Sequence, residues 1–441
     1  MNVKKLHSVF FIGIGGIGMS ALATYLLSNG VEVFGYDRES SDLTKKLEAL
    51  GARIQYSTEL EELQKFQKCD EHLVVYTPAV KENNPLLKLA LETYNCMKRS
   101  ELLAAVSSGM FTIAVAGTHG KTSTSALITH ILKHSGKRIC AFVGGIMRNY
   151  NSNVLSDSDP EFMILEADEF DRSFLKLNPD LAVITSVDPD HLDIYETEKA
   201  FLENFQLFVE RVQGKVVVHR DVVSKLSLPI NTISYAASAD TIQYKDGYNC
   251  FSVDGANYSI AMPGVYTVNN VMAAIHIAKA IGLSESEIAS ALVSFEGVNR
   301  RFNIYTTERG VFVDDYAHHP TEISAAINAA KSFFKDKEII AYFQPHLFSR
   351  TRDFMQGFVE ALQLADKVYL LDIYPAREEP IEGVTSLVMQ KHIGEQCRLI
   401  EVQDFDAVLK LNEQKDAINL VMGAGSIGLY FKNYISKEVT C

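Results

Sequence analysis

The chain has no cysteine pair at CxxC spacing, no long basic run, no internal repeat and no low-complexity tract. Its six cysteines (Cys69, Cys96, Cys140, Cys250, Cys397 and Cys441) are scattered. That excludes a disulfide framework and a zinc ribbon, and leaves the reduced thiols of a cytoplasmic protein as the expectation. Basic residues number 42 against 55 acidic ones, a net charge of −13, which argues against binding the phosphate backbone of nucleic acid. Apolar residues make up 47% of the 441 and charged residues 22%. This balance excludes disorder or a fibre and leaves room for about three domain cores.

What is present first needs separating from a membrane signal. Residues 9–27 carry no charge and are long enough to imitate a signal peptide or a span. Gly13, Gly15, Gly16 and Gly18 crowd the first half and would weaken such a helix. A strand over 8–12, a glycine turn, a helix over 19–27 ended by Asn29-Gly30, and a strand over 31–35 account better for the segment. Beyond it, short β-branched runs alternate with helical patterns. Strands are expected at 73–76, 112–116, 163–166, 181–185, 216–219, 311–314, 339–343, 368–371 and 419–422. Helices are expected at 123–134, 270–281, 321–334 and 353–364. This is α/β architecture with mostly parallel sheets. Joints at 98–109 and 297–301 divide it into domains 1–108, 109–297 and 298–441.

Gly13-Ile14-Gly15-Gly16-Ile17-Gly18 fits G-x-G-x-x-G between a strand and a helix. Glycines there let a phosphate approach backbone N–H groups at a helix start, and Asp37 ends the next strand where a ribose-binding acid sits. The similar Gly423-Ala424-Gly425-Ser426-Ile427-Gly428 has little chain after it and reads as a packing turn. The stronger signal is Gly117-Thr118-His119-Gly120-Lys121-Thr122-Ser123 after strand 112–116. Backbone amides would face phosphate, Lys121 would supply a mobile cation, and Thr122 a hydroxyl for Mg²⁺. The form is shorter than the standard one, with Val115 where a glycine is expected.

Carboxylates follow at strand ends. Glu166 heads Glu166-Ala167-Asp168-Glu169 and suits a Mg²⁺ beside ATP phosphates, whereas Asp168 and Glu169 suit a solvated turn equally. His191, among Asp188, Asp190 and Asp193, suggests a second metal ligand. Asp314-Asp315-Tyr316-Ala317-His318-His319-Pro320 and Gln344–Asp353 end later strands, where open α/β sheets bind ligands. Arg350 and Arg352 suit clamping of a carboxylate or phosphate. His318 and His319 lack a further metal-spaced partner for zinc.

Taken in order, these motifs resemble the Mur ligases of peptidoglycan and cell-wall synthesis over essentially the whole length, and most closely their alanine-adding branch. The resemblance implies a Rossmann-like UDP-binding domain, a central P-loop-type ATPase domain and a C-terminal Rossmann-like domain. It implies an enzyme that uses ATP and Mg²⁺ to join L-alanine to UDP-N-acetylmuramate through an acyl phosphate. Lys121, Glu166 and His191 then match catalytic positions, with Thr122, Glu166 and His191 toward the metal ions. Gly117, Thr118, His119, Gly120, Lys121, Thr122, Ser123, Asn270, Arg301 and Asp315 match the ATP side. Gly13, Gly15, Gly16, Ile17, Gly18, Asp37 and His119 match the UDP-sugar side, and Tyr316, His318, His346 and Arg350 the muramyl and amino-acid side. Two departures stand out: many members carry His-Asn-x-x-Asn where this chain has Tyr266-Thr267-Val268-Asn269-Asn270, and some carry Arg at Leu347. Other readings are a recycling ligase that adds a preformed tripeptide, a nicotinamide dehydrogenase resting on Gly13–Gly18 and Asp37, and a nucleotide switch. The dehydrogenase reading leaves Gly117–Thr124 without a task, and product analysis with alanine separates the switch from a ligase.

Overall fold

The computed structural model describes residues 3–66, 68–189, 195, 197–245, 247–376 and 378–438. The chain divides into two compact units, residues 1–236 with 270–296 and residues 237–269 with 297–441.

The first unit holds two sheets. One runs Arg53–Gln55, Glu32–Tyr36, Ser8–Ile12, His72–Tyr76, Cys96–Lys98, all parallel. Ser8–Ile12 is buried along its whole length, as expected of a parallel strand covered on both faces. It sits where the strand order reverses, so the crevice at its carboxyl end is where such folds take ligands. The other sheet runs Ile233–Tyr235, Val216–His219, Leu181–Ile184, Phe111–Ala116, Phe162–Glu166, Ile139–Met147, Ser152–Ser156. Only the last pair is antiparallel. Phe111–Ala116 again lies at a reversal, and its carboxyl end carries the loop opening helix Lys121–His134.

The second unit holds an antiparallel sheet of Gln243–Lys245, Tyr248–Val253 and Ala256–Ile260. It also holds a six-stranded sheet ordered Asn303–Thr306, Val311–Asp315, Ala417–Met422, Glu338–Phe343, Lys367–Leu370, Cys397–Leu399. The latter is parallel apart from its first pair. Val311–Asp315, Glu338–Phe343 and Ala417–Met422 are each followed by a helix, Pro320–Phe333, Phe348–Asp353 and Ile427–Glu438, so polar loop residues gather at one edge.

Every expected strand is present, 8–12 and 216–219 with the same ends and the rest shifted by one or two residues. Residues 9–27 fold as strand, turn and helix, and among the described residues no helix is long and apolar enough to cross a membrane. The helix expected over 353–364 is present as Met355–Leu362. A further short helix, Phe348–Asp353, precedes it, and the two are parted at Phe354 (φ −115, ψ 18), whose backbone leaves the helical region. The antiparallel three-stranded sheet and the pair Ile139–Met147 and Ser152–Ser156 were not anticipated.

Candidate functional site

At the phosphate loop, Gly117 (φ +130) and Gly120 (φ +80) hold a backbone that side-chain-bearing residues avoid. Space forbids a side chain as well. A Cβ on Gly117 would lie 2.1 Å from Thr185 Oγ1, and one on Gly120 2.5 Å from Asn270 Oδ1. Asn270 also accepts from Thr124 Oγ1 at 3.3 Å, so the asparagine matched to the nucleotide side is seated directly beneath the loop. His119 is fixed through its backbone, its N–H donating to Ser186 Oγ at 2.9 Å. Its ring stands 3.5 Å from the Asp188 carboxylate.

Lys121 opens the helix and folds back over the loop. Its Nζ donates to Gly117 O at 2.5 Å and to both oxygens of Glu169 at 2.9 and 2.8 Å. Burial works against the ammonium charge, but Glu169, Asp168 and Glu166 outweigh it and hold the lysine above its ordinary pKa. Glu169 is 2% exposed, so it is a buried partner of the lysine and no solvated turn residue. Ser123 lies in the same first helical turn.

Thr122 Oγ1 donates to Glu166 Oε2 at 3.2 Å, Ser125 Oγ to Glu166 Oε1 at 3.1 Å, and Gly144 N–H to Oε1 at 2.5 Å. A hydroxyl and a carboxylate thus converge at the loop, a hard oxygen donor set that fits Mg²⁺. Among the described residues no group of three or more His, Cys, Asp or Glu forms a metal cluster. His191, together with Asp190 and Asp193, lies outside the described residues.

The first glycine loop is closed by its own backbone and by Asp37. Gly13 and Ile14 N–H donate to Tyr36 O at 2.8 and 3.0 Å, and Gly15 N–H donates to Asp37 Oδ2 at 2.6 Å. Gly16 caps helix Ile17–Ser28, and Ile17 O accepts from Asn153 Nδ2 at 2.7 Å. A Cβ on Gly18 would lie 2.4 Å from Arg99 Nη1. Arg99 Nη2 in turn donates to Asp168 Oδ2 at 2.9 Å. Sequence reasoning missed Arg99 altogether, because its partners lie 81 and 69 residues away along the chain and no local spacing marks it.

In the second unit, the Arg300 and Arg301 guanidinium carbons stand 5.0 and 5.3 Å from the Tyr316 ring centre. Asp315 accepts from Phe302 N–H and Ala317 N–H at 2.8 and 2.7 Å. Burial pushes its carboxyl up to about 6, against the pull of Arg301. The Tyr266 phenol, at the position where many members of the resembled family have His, is driven far above its ordinary value, by burial first and by Asp315 next. His318 Nδ1 is 3.0 Å from Tyr316 O and 3.2 Å from Glu322 Oε2. The His318 ring centre lies 6.3 Å from that of His346, which stacks on Tyr374 at 5.7 Å. Arg350 is buried in the first turn of helix Phe348–Asp353. Arg301, Asp315, Tyr316, His318 and His346 therefore share one sheet edge.

The three regions match known sequences in order. Residues 8–109 match the model of the Mur ligase family catalytic domain, 115–278 that of the Mur ligase middle domain, and 300–425 that of the Mur ligase glutamate ligase domain. The chain belongs to the Mur ligase family. A UDP-N-acetylmuramate–L-alanine ligase of Cytophaga hutchinsonii is 43% identical over 440 residues, covering 93% of this chain and 94% of that one. Among solved structures, a UDP-N-acetylmuramate–alanine ligase from Thermotoga maritima aligns at a TM-score of 0.83 and 26% identity, covering 98% of this chain and 99% of that one. A murein peptide ligase from Psychrobacter arcticus shares the fold at a TM-score of 0.70 and 22% identity, over 98% of both chains. The three-domain Mur ligase architecture is thus the architecture of this chain.

Proposed function

We propose that this Mur ligase joins L-alanine to the lactyl carboxylate of UDP-N-acetylmuramate in peptidoglycan precursor synthesis, with ATP converted to ADP and phosphate. One observation carries the reading: Lys121, Thr122 and Glu166 converge on a glycine loop that opens a helix at a strand reversal. Residues 1–108 would bind the UDP-sugar, 109–297 the ATP, and 298–441 the amino acid.

The γ-phosphoryl group moves to the lactyl carboxylate, giving an acyl phosphate. The neutral amine of alanine then attacks its carbonyl carbon, and the tetrahedral intermediate collapses to amide and inorganic phosphate. Catalysis of this kind is mostly positioning and charge neutralisation. Lys121 leaves Glu169 and neutralises charge on the transferring group, while the amides around Gly117–Gly120 orient the phosphates. Asn270 and Asp315 serve the nucleotide, and Tyr316, His318, His346 and Arg350 take the muramyl and alanine carboxylates and the amine. Thr122 and Glu166, with His191, would hold Mg²⁺, which screens phosphate charge when bound.

Hydroxylamine supplied in place of alanine tests the intermediate. A muramyl hydroxamate is expected only when ATP, Mg²⁺ and UDP-N-acetylmuramate are all present. Hydroxamate formed without ATP, or ADP release indifferent to UDP-N-acetylmuramate, overturns the proposal.

A further inference from the structure

Two ion pairs, joined through the backbone of adjacent residues, link the two glycine loops of the first unit. Arg99 lies against Gly18 and binds Asp168 at 2.9 Å. The next residue, Glu169, binds Lys121 at 2.8 Å. Asp168 Oδ1 also accepts from Phe170 N–H at 3.1 Å, and Asp168 O accepts from Phe174 N–H at 2.9 Å. Asp168 therefore sets the start of the 3₁₀ segment Phe170–Lys176. That segment is tied a second time to the helix of Arg99, through Lys176 and Glu101 at 2.8 Å. The guanidinium beside the first loop and the ammonium of the second are thus both held by one short acidic stretch.

A guanidinium at 27% exposure beside a helix start can be recruited by an anion arriving there. A diphosphate presents more charge than one carboxylate, and Asp168, 35% exposed, can turn to water when released. Glu169 has no such option, being buried, so its grip on Lys121 depends on where the backbone at 168–169 stands. We propose that Arg99 couples the two loops: an anion at the first takes the guanidinium from Asp168, and the relaxed 168–169 backbone frees Lys121 for phosphate at the second. This rests on the reading that the first loop takes the diphosphate of a UDP-sugar and the second takes ATP. Arg99 is then a positioning residue whose effect appears in the dependence of one affinity on the other ligand. Linkage requires that dependence to be mutual.

Calorimetric titration of the full chain with a non-hydrolysable ATP analogue and Mg²⁺, with and without UDP-N-acetylmuramate, measures the coupling. Wild type is expected to bind the analogue at least about 5-fold tighter when UDP-N-acetylmuramate is present, within the usual range of coupling between sites. Asp168→Asn and Arg99→Gln should bring that ratio below about 2, with Arg99→Lys in between. The ratio compares one protein with itself, so a general loss of stability does not mimic the result. Glu101→Gln, which cuts the second tie, should keep the ratio. A wild-type ratio of 1, an unchanged ratio in Asp168→Asn, or equal loss in Glu101→Gln overturns the coupling while leaving the site assignment standing. Failure of wild type to bind UDP-N-acetylmuramate at all overturns the assignment and the coupling with it.

Discussion

Gly13–Gly18 and Gly423–Gly428 carry the same glycine spacing at the same kind of strand-to-helix turn, yet the arginine over each is held differently. In both, an arginine lies over the third glycine. Arg99 by Gly18 is held by one half-exposed carboxylate, Asp168. Arg300 by Gly428 is locked in place: its Nη2 donates to Gly423 O at 2.5 Å, and its Nε faces the buried Asp314 at 3.4 Å. Side chains fill the space over the middle of both motifs: a Cβ on Gly425 would meet Gln344 Oε1 at 2.5 Å, and one on Gly15 would meet Asp37 Oδ2 at 2.9 Å. The spacing specifies close approach to the backbone, and the neighbours decide how firmly the approaching group is held.

The largest effect should come from the loop that belongs to neither of these two. Lys121→Ala is expected to lower turnover by about 10²–10³, as for loss of one preorganised electrostatic contact, while UDP-N-acetylmuramate binding stays near wild type. Steady-state rates beside calorimetry check it, and activity within a few-fold of wild type would remove Gly117–Thr122 as the ATP loop. The matched pair Gly428→Ala and Gly18→Ala then tests the contrast itself. A Cβ on Gly428 falls 2.1 Å from Arg300 Cζ and strips a buried carboxylate of its partner. The expected cost is about 1–3 kcal/mol of stability, seen as a lower urea midpoint at unchanged slope. Gly18→Ala presses on Arg99 Nη1 and, less closely, on Cδ, and that side chain is part-exposed, so stability should stay within about 0.5 kcal/mol while UDP-N-acetylmuramate binds about tenfold more weakly. Equal behaviour of the two variants would erase the distinction.

A last test separates the two units by pH. Burial holds His130 down at about 4, with Tyr150 Oη at 2.9 Å from Nδ1 and Ala291 O at 3.0 Å from Nε2. The folded state therefore binds fewer protons than the unfolded one between about 6.5 and about 4. Acidification through that window removes stability, up to about 3 kcal/mol. Asp314 and Asp315 are raised to about 6 by burial, so between about 6 and the ordinary value of 3.8 the folded state binds more protons and acidification adds stability. Hydrogen exchange at pH 7 and pH 5, corrected for intrinsic rates, should show weaker protection in Lys121–His134 and stronger protection in Val311–Asp315. Parallel responses in both would contradict the assigned causes.

The parallel sheets were legible because buried strands read as continuous apolar runs, as Ser8–Ile12 and Val216–His219 do. The antiparallel sheet carries a different signal, alternation ending in a tight turn. Tyr248–Val253 alternates in burial toward Asp254-Gly255, both at positive φ, which is a hairpin turn. Ile139–Met147 was obscured by Gly144 and Gly145 within it, residues that weaken strand propensity. At the candidate site, side chains supplied by strand-end loops could be named from position alone. The burial of Glu169 and the Arg99–Asp168 pair depend on contacts between distant segments, and no local pattern records those.

Leu347 joins His346 to helix Phe348–Asp353 with φ +69 and ψ 136, backbone that glycine adopts freely and leucine at a cost of about 1–3 kcal/mol. Its N–H donates to Tyr374 O at 3.0 Å, and Tyr374 N–H donates to Pro345 O at 2.8 Å. The turn is thereby stitched to the residue whose ring lies on His346. For protein engineering this marks a trap. A selection scored on melting temperature alone would reach Leu347→Gly early, because it relieves strain, and would soften the one turn that sets the pose of His346. Thermostability gained at this position should be discounted until turnover has been measured beside it.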